Sequence, residues 1–368
     1  MENDSKKISV AFAAIEKAVE KYIPSFVEKE GTGKNYVTWG EDNKIPEYLF
    51  DLFTDVTTLK TIIVGTSSFV AGDDATCNIK GFDVEINKKG DTMYELIGWL
   101  SRDYLIYGGF AFQVIRNKGG EVGELYYIDF RYLRASKKQD LFWYSEEWGK
   151  KYARSNKTVV YPKFVPEAKD IASSIVYVTN EKSRTYPIPR YSGALKSCEI
   201  ERHIDEYHLS ALDNGFNPSS MINFCNGMPS DEQKAEIEKN ITEKFAGSSN
   251  AGRIILNFSD CKENAAYIQK IDTTDFGEKY NAASKRSREQ IYCAFQAIPA
   301  LFGLMTESTG FNEQEFSESF KLYNRTVVRP IQNLIANTMD KVFGVKGSIT
   351  IQPYSIESGT NNEEKTVE

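Results

Sequence analysis

Histidine is the scarcest reactive side chain here: two among 368 residues. His203 and His208 stand with Cys198 at five-residue steps on a helical stretch. Each step turns the side-chain direction by roughly 140°, so the three cannot converge on one ion without help from elsewhere. The same scarcity weakens any Ser-His-Asp or Cys-His nucleophile, and no Gly-x-Ser-x-Gly elbow is present. The five cysteines, Cys77, Cys198, Cys225, Cys261 and Cys293, are widely spaced and contain no Cys-x-x-Cys. They are expected to be reduced, buried small hydrophobes. No apolar run reaches the roughly 18 residues of a membrane-crossing helix, so no membrane partner is expected. The first residues, MENDSKKISVAFAAIEKAVEKYI, carry charges before and inside their apolar part. They read as an amphipathic helix with Phe12, Ile15, Val19 and Ile23 on one face, not as a signal peptide.

A phosphate loop is also missing. GTGKNY, residues 31–36, has Glu28 where a Walker A loop needs glycine and Asn35 where it needs Ser or Thr. A flexible turn is expected there. Carboxylates are plentiful, with Glu199, Glu201, Asp205 and Glu206 close together, yet a solvated helix face accounts for them. No cofactor and no metal is expected, although a Mg²⁺-holding cluster assembled from distant segments keeps a metal-dependent nucleic-acid-processing enzyme as an alternative. The chain has 45 basic against 52 acidic residues, a net charge of −7. That argues against tight sequence-independent DNA binding, which rests on Lys and Arg neutralising phosphates. Loose passage of DNA remains compatible with it.

Length suggests about two domains, and the two halves are patterned differently. The first half reads as α+β. TTLKTIIVGTSSFV (57–70) looks like a buried helix, and residues 91–107 have helical spacing through Met93, Leu96, Ile97, Leu100 and Tyr104, stopped by Gly108. A hairpin follows, FAFQVIR and EVGELYYI around Asn117-Lys118-Gly119-Gly120. Strands are predicted at 141–145, 158–164 and 174–178. In the second half a helix over about 190–212 ends at Asn214-Gly215. A β-α-β unit comes next: SSMINFC (219–225), a helix opened by the Ser230-x-x-Gln233 capping box, and NAGRIILNF (250–258). A long helix from about Asp275 carries a narrow seam, Phe276, Tyr280, Ala283, Ser287, Ile291, Ala294 and Ile298. A second seam runs Phe316, Phe320, Tyr323, Val327, Ile331, Leu334, Thr338 and Val342, and Pro330 within it predicts a kink. SITIQPY (348–354) reads as a closing strand. No internal repeat is present. Between the two seams, residues 304–314 serve neither a core nor a catalytic pattern.

Five stretches in this order resemble the portal proteins of tailed bacteriophages, most closely the HK97-like portal family. They are LIYGGFAFQVIRNKGGEVGELYYIDFRYLR (105–134), YPIPRYSGAL leading to LDNGFNPSSMI (186–222), KFAGSSNAGRIIL (244–256), AFQAIPALFGL (294–304), and an Asn-x-x-Glu followed by VVRPIQNLI (327–335). Ile298 replaces the family's more usual Val, and the segment after LYYID lacks its common proline. The resemblance implies a fold class of α+β: a mixed α/β wing, a two-helix stem carrying a small β-α-β clip, and a long kinked C-terminal helix. By position, residues 1–190 are the wing, 191–213 the first stem helix, 214–272 the clip and 273–298 the second stem helix. Residues 299–315 are the tunnel loop, 316–352 the kinked helix and closing wing strand, and 353–368 a disordered tail with at most a minimal crown.

The resemblance further implies a non-enzymatic ring, a dodecamer of the chain itself, at one capsid vertex of a virion. It is assembled in the host cytoplasm. Double-stranded DNA passes through it without sequence specificity. The other implied partners are the terminase large subunit, a head-tail adaptor, and the major capsid and scaffold proteins. Another capsid-associated head-tail protein is the remaining alternative. The resemblance makes Thr306, Glu307, Ser308, Thr309, Gly310, Phe311 and Asn312 the tunnel loop residues facing DNA; Thr306, Ser308 and Thr309 are small and polar, Gly310 gives mobility and Glu307 repels phosphate, so the loop can touch DNA without gripping it. Lys279, Lys285, Arg286 and Arg288 on the second stem helix either meet phosphates in the channel or pair with Glu199, Glu201 and Asp205 of the first.

Overall fold

The computed structural model describes residues 20–30, 35–148, 158–214, 220–224, 230, 232–233, 236, 254–258, 274–303 and 313–355. These fall into two compact units, one within Glu16–Glu199 and Arg286–Glu368, the other within Ile200–Lys285. The architecture is mixed α/β.

The larger unit opens with the antiparallel pair β1 (Glu28–Glu30) and β2 (Val37–Trp39), then α1 (Ile45–Asp55), α2 (Thr57–Ala71) and β3 (Asp74–Cys77). The sequence reading missed α1. Pro46 sits in its first turn, where a missing donor costs nothing, and Ile45, Leu49, Leu52 and Phe53 form its buried face. No side chain caps α2, whose N-cap is Val56. An absent cap costs about 1 kcal/mol. Burying Leu59, Ile62, Ile63 and Val70, each worth roughly 1.5–3 kcal/mol, outweighs it. The next helix, α3 (Met93–Tyr107), has both kinds of support. Thr92 and Glu95 cap it reciprocally at 3.2 and 2.8 Å, and Gly108 ends it in a left-handed conformation.

β4 (Gly109–Arg116) and β5 (Val122–Tyr127) form the expected hairpin. Its turn is built on Asn117, whose Oδ1 accepts from the Gly119 and Glu121 amides at 2.9 and 3.0 Å. A second antiparallel sheet follows, β6 (Leu133–Ala135), β7 (Leu141–Tyr144) and β8 (Val159–Pro162). β9 (Ser173–Thr179) then returns to flank β4, giving the order β5-β4-β9. Phe110, Ala111, Phe112 and Val114 of this central strand are fully buried.

A 3-10 turn, Ser192–Ala194, leads into α4 (Leu195–Asn214). In the smaller unit, β10 (Ser220–Phe224) and β11 (Ile254–Phe258) pair in parallel, as a β-α-β connection requires. Ser230 and Gln233 make both predicted capping-box hydrogen bonds, at 3.1 and 3.3 Å. Most of the intervening segment lies outside the described residues.

α5 (Thr274–Phe295) carries the first seam, with Ala283, Ser287 and Ile291 buried. It stops at Phe295 rather than at the expected Ile298. Gln296 takes a positive φ of 52°, and the proline at 299 biases Ile298 towards extended backbone. A 3-10 turn, Pro299–Phe302, follows. The second seam lies on α6 (Glu313–Tyr323), a π segment (Asn324–Val328) and α7 (Arg329–Phe343). In the π segment the Arg329 amide reaches the Asn324 carbonyl, one residue farther back than in an α-helix. A proline clashes with the carbonyl four residues before it, and the widened turn stands directly before Pro330. Val327 and Val328, adjacent in sequence, are both buried.

β12 (Ile349–Gln352) closes the unit by pairing antiparallel with β3. The backbone approach there is so close that a Cβ at Gly72, φ +76, would lie 1.9 Å from the Gln352 carbonyl oxygen. Residues 353–355, the first of the expected tail, are described. Tyr354 packs against Phe69 and Phe320, with ring centroids 5.1 and 6.0 Å apart. The Ser355 amide donates to Asp73 at 3.0 Å. The rest of the tail lies outside the described residues.

Candidate functional site

The expected DNA-facing residues, Thr306 to Asn312, lie outside the described residues. The structure does describe both ends of the segment that holds them. On the entering side, Leu301 is buried and Phe302 packs against Phe69, Tyr292 and Tyr323 at 6.0, 6.2 and 5.7 Å. On the leaving side, Phe320 meets Phe69 at 5.3 Å. α2 supports both ends, and Gly65 makes this contact feasible: a Cβ there would sit 2.8 Å from the Phe302 ring. The Tyr323 hydroxyl and Thr66 Oγ1 share a buried hydrogen bond of 2.7 Å. Burial pushes the Tyr323 hydroxyl up to about 12, against the opposing pull of Thr66. A glycine inside a helix costs about 1 kcal/mol relative to alanine. Gly65, within TIIVGTSSFV, was therefore the one sequence signal of a close approach.

The expected stem charges occupy two helices. Lys279 falls in α5, and Lys285, Arg286 and Arg288 follow it there, all three exposed. Asp205 of α4 is exposed, but Glu199 and Glu201 are buried, which corrects the solvated face expected for these two. Cys198, Glu199, Ile200 and Glu201 are buried in succession, so this stretch of α4 is enclosed on more than one face. His203 Nδ1 lies 2.9 Å from the Glu206 carboxylate, a local helical contact. Cys77 and Cys198 are buried as expected, whereas Cys293 is exposed.

Two buried polar clusters in the larger unit went unnoticed in the sequence. Arg134 is fully buried. Its guanidinium donates to Asn43 Oδ1 and the Asn43 carbonyl at 2.6 and 2.8 Å. It also reaches the Arg131 and Leu133 carbonyls at 2.7 and 2.8 Å. Glu47 stands 3.7 Å away. Burial draws the Arg134 pKa down, and these acceptors supply what water would. Asp103 accepts from the Tyr127 hydroxyl at 3.1 and 3.0 Å and from the Phe130 amide at 3.2 Å. Among the described residues no three His, Cys, Asp or Glu side chains gather as metal ligands.

Four similarities to known proteins bear on the chain. An uncharacterised protein of Rickettsia felis is 31% identical over 151 residues, which is 40% of this chain and 37% of that protein. The matched stretch thus spans little more than a third of that relative. The virion of a native gene transfer agent particle contains a chain that superposes with a TM-score of 0.57 at 14% identity, covering 92% of this chain and 89% of that one. The neck of such a particle, computed with C12 symmetry, gives 0.54 at 16% identity over 84% of each chain. At these identities the likeness is one of fold. A sequence model of the phage portal protein family matches residues 86–361, well over half of the chain. The protein belongs to the phage portal protein family.

Proposed function

We propose that copies of this chain form a ring at one capsid vertex, and that double-stranded DNA enters through it during packaging and leaves through it during ejection. The observation that carries this reading is the family match over residues 86–361. The neck particle with C12 symmetry favours twelve copies. In this reading residues 1–190, with 316–352 returning to them, are the wing that seats in the capsid shell and meets scaffold. Residues 191–213 and 273–298 are the stem, and 214–272 the clip that docks terminase and head-tail adaptor. Residues 299–315 are the tunnel loop beside DNA. ATP hydrolysis belongs to the terminase, in keeping with the failed Walker A pattern at 31–36. The ring resides in the virion and is assembled in the host cytoplasm.

Electron microscopy of the purified protein tests this. Rings with a central hole wide enough for duplex DNA are expected. A chain that stays monomeric at high concentration, even with capsid and scaffold protein added, would sink the reading.

A further inference from the structure

The residues that follow the closing strand lie beside both ends of the tunnel loop. β12 ends at Gln352, opposite Asp74 of β3. Pro353 has no amide to donate, so the ladder stops there. Residues 353–355 lie beyond the sheet, yet they are held. The Ser355 amide and hydroxyl both donate to Asp73 Oδ2, at 3.0 and 2.5 Å. The Asp73 amide in turn donates to the Gln352 carbonyl at 3.2 Å. Gly72 permits this approach, since any side chain there would strike the same carbonyl. Between the two clasped points stands one large side chain, Tyr354.

Phe69 of α2 is where this strap and the loop ends meet. Its ring has Phe302 at 6.0 Å on the entering side, Phe320 at 5.3 Å on the leaving side and Tyr354 at 5.1 Å. Phe320 and Tyr354 both stand edge-on to it, at 76° and 72°, an arrangement that aromatic quadrupoles favour. Tyr354 also meets Phe320 directly, at 6.0 Å. Phe320 is buried while Tyr354 keeps 37% of its surface exposed, which makes Tyr354 the outer ring of the group. Gly65, one turn before Phe69 on the same helix face, gives the Phe302 ring its room.

We propose that Tyr354 is a positioning residue for the tunnel loop. Clasped at Asp73, it clamps Phe320 onto Phe69 and so fixes the leaving end of the loop relative to the entering end on the same ring. The proposal rests on the portal reading for what the loop faces. A segment whose two ends are fixed at one point samples fewer arrangements than one whose leaving end can drift. The competing role for the strap is a general brace that adds to the stability of the whole larger unit. The two roles differ in where loss of the strap is felt.

The test uses three full-length variants. Tyr354→Ala removes the ring, Tyr354→Phe keeps it, and Asp73→Ala opens the clasp without touching a ring. Hydrogen exchange is followed at the amides of 317–323 in α6, with those of 110–114 in β4 as the reference. Tyr354→Ala is expected to speed exchange in α6 by about tenfold, the loss of two aromatic contacts. Exchange in β4 should stay unchanged, because local opening is read separately from global unfolding. Asp73→Ala should act in the same place to a smaller extent, and Tyr354→Phe should match the unaltered chain. Rings of Tyr354→Ala are expected to form at the unaltered level and to leave less packaged DNA protected from nuclease, with Tyr354→Phe restoring the loss.

Equal acceleration in α6 and β4 would make the strap a general brace. No acceleration in α6 would show that it clamps nothing. Faster exchange in α6 with full packaging by Tyr354→Ala would show that the clamp does not position the loop. Each of these overturns the proposal and leaves the portal reading standing. An unaltered chain that forms no rings and packages no DNA would sink the portal reading, and the role of Tyr354 towards the loop with it.

Discussion

Asp103 holds a proton that an ordinary aspartate gives up. Burial, and then the charge of Asp129, raise its pKa to about 8, while Arg102, the Phe130 amide and Tyr127 pull the other way and lose. The unfolded chain releases this proton near pH 4. Between about pH 4 and 8 the folded state therefore binds more protons than the unfolded one, and stability falls as pH rises. The contribution is complete below pH 4 and lost by about pH 8. Asp103→Asn keeps an acceptor for Tyr127 and Phe130 but has nothing to titrate. Thermal melting from pH 5 to 8 is expected to show a smaller decline in Tm for this variant, with its advantage largest at pH 8. An unchanged slope would mean that Asp103 does not titrate in this range. Asp103 was legible in part. It lies three residues after Leu100 and seven after Leu96, on the face already read as apolar, where a charged residue is itself a signal. Arg134 gave no such sign, because all three residues of its short strand are buried and alternation has nothing to contrast.

The π segment shows why regular spacing can mislead at the scale of an element. Phe320, Tyr323, Val327 and Ile331 step by three and four, so the seam reads as unbroken helix. The additional residue that widens the turn is invisible in that rhythm, and only Pro330 announced an irregularity. A π turn behaves as one residue inserted into an α-helix. Deleting Thr326, which is exposed, is therefore expected to convert the turn to α-helix and leave both flanks on the core, provided Pro330→Ala accompanies it. With Pro330 retained, the carbonyl clash should cost about 3 kcal/mol. Deleting Asn333, equally exposed but in regular helix, rotates one flank by about 100°. That would turn Ile335 and Met339 off the core. Denaturant unfolding should rank the Thr326 deletion with Pro330→Ala well above the Asn333 deletion. Equal losses would refute the insertion picture. α1 was missed for a related reason, since eleven residues with proline second give a periodic pattern little length to establish itself.

At the scale of the whole molecule, the order of elements was the legible part. The stretches that carried the resemblance, over 105–344, all lie within the matched span 86–361. The tunnel loop is where the proposed function is most exposed to test. Glu307→Lys with Thr309→Lys would add two cations beside passing phosphates, each raising salt-dependent affinity. Rings should assemble as before while packaging slows or stalls, measured as DNA protected from nuclease. Packaging at the unaltered rate would reduce the loop to a connector. The closing strand carries a consequence of another kind. β3 acquires its partner only when Ile349–Gln352 exist, about 270 residues later in synthesis, and at 5–20 residues per second that is roughly 14–54 s. Throughout that interval Asp74–Cys77 presents an unpaired edge to other nascent copies, and crowded translation is the moment at which mispairing competes with the native pairing.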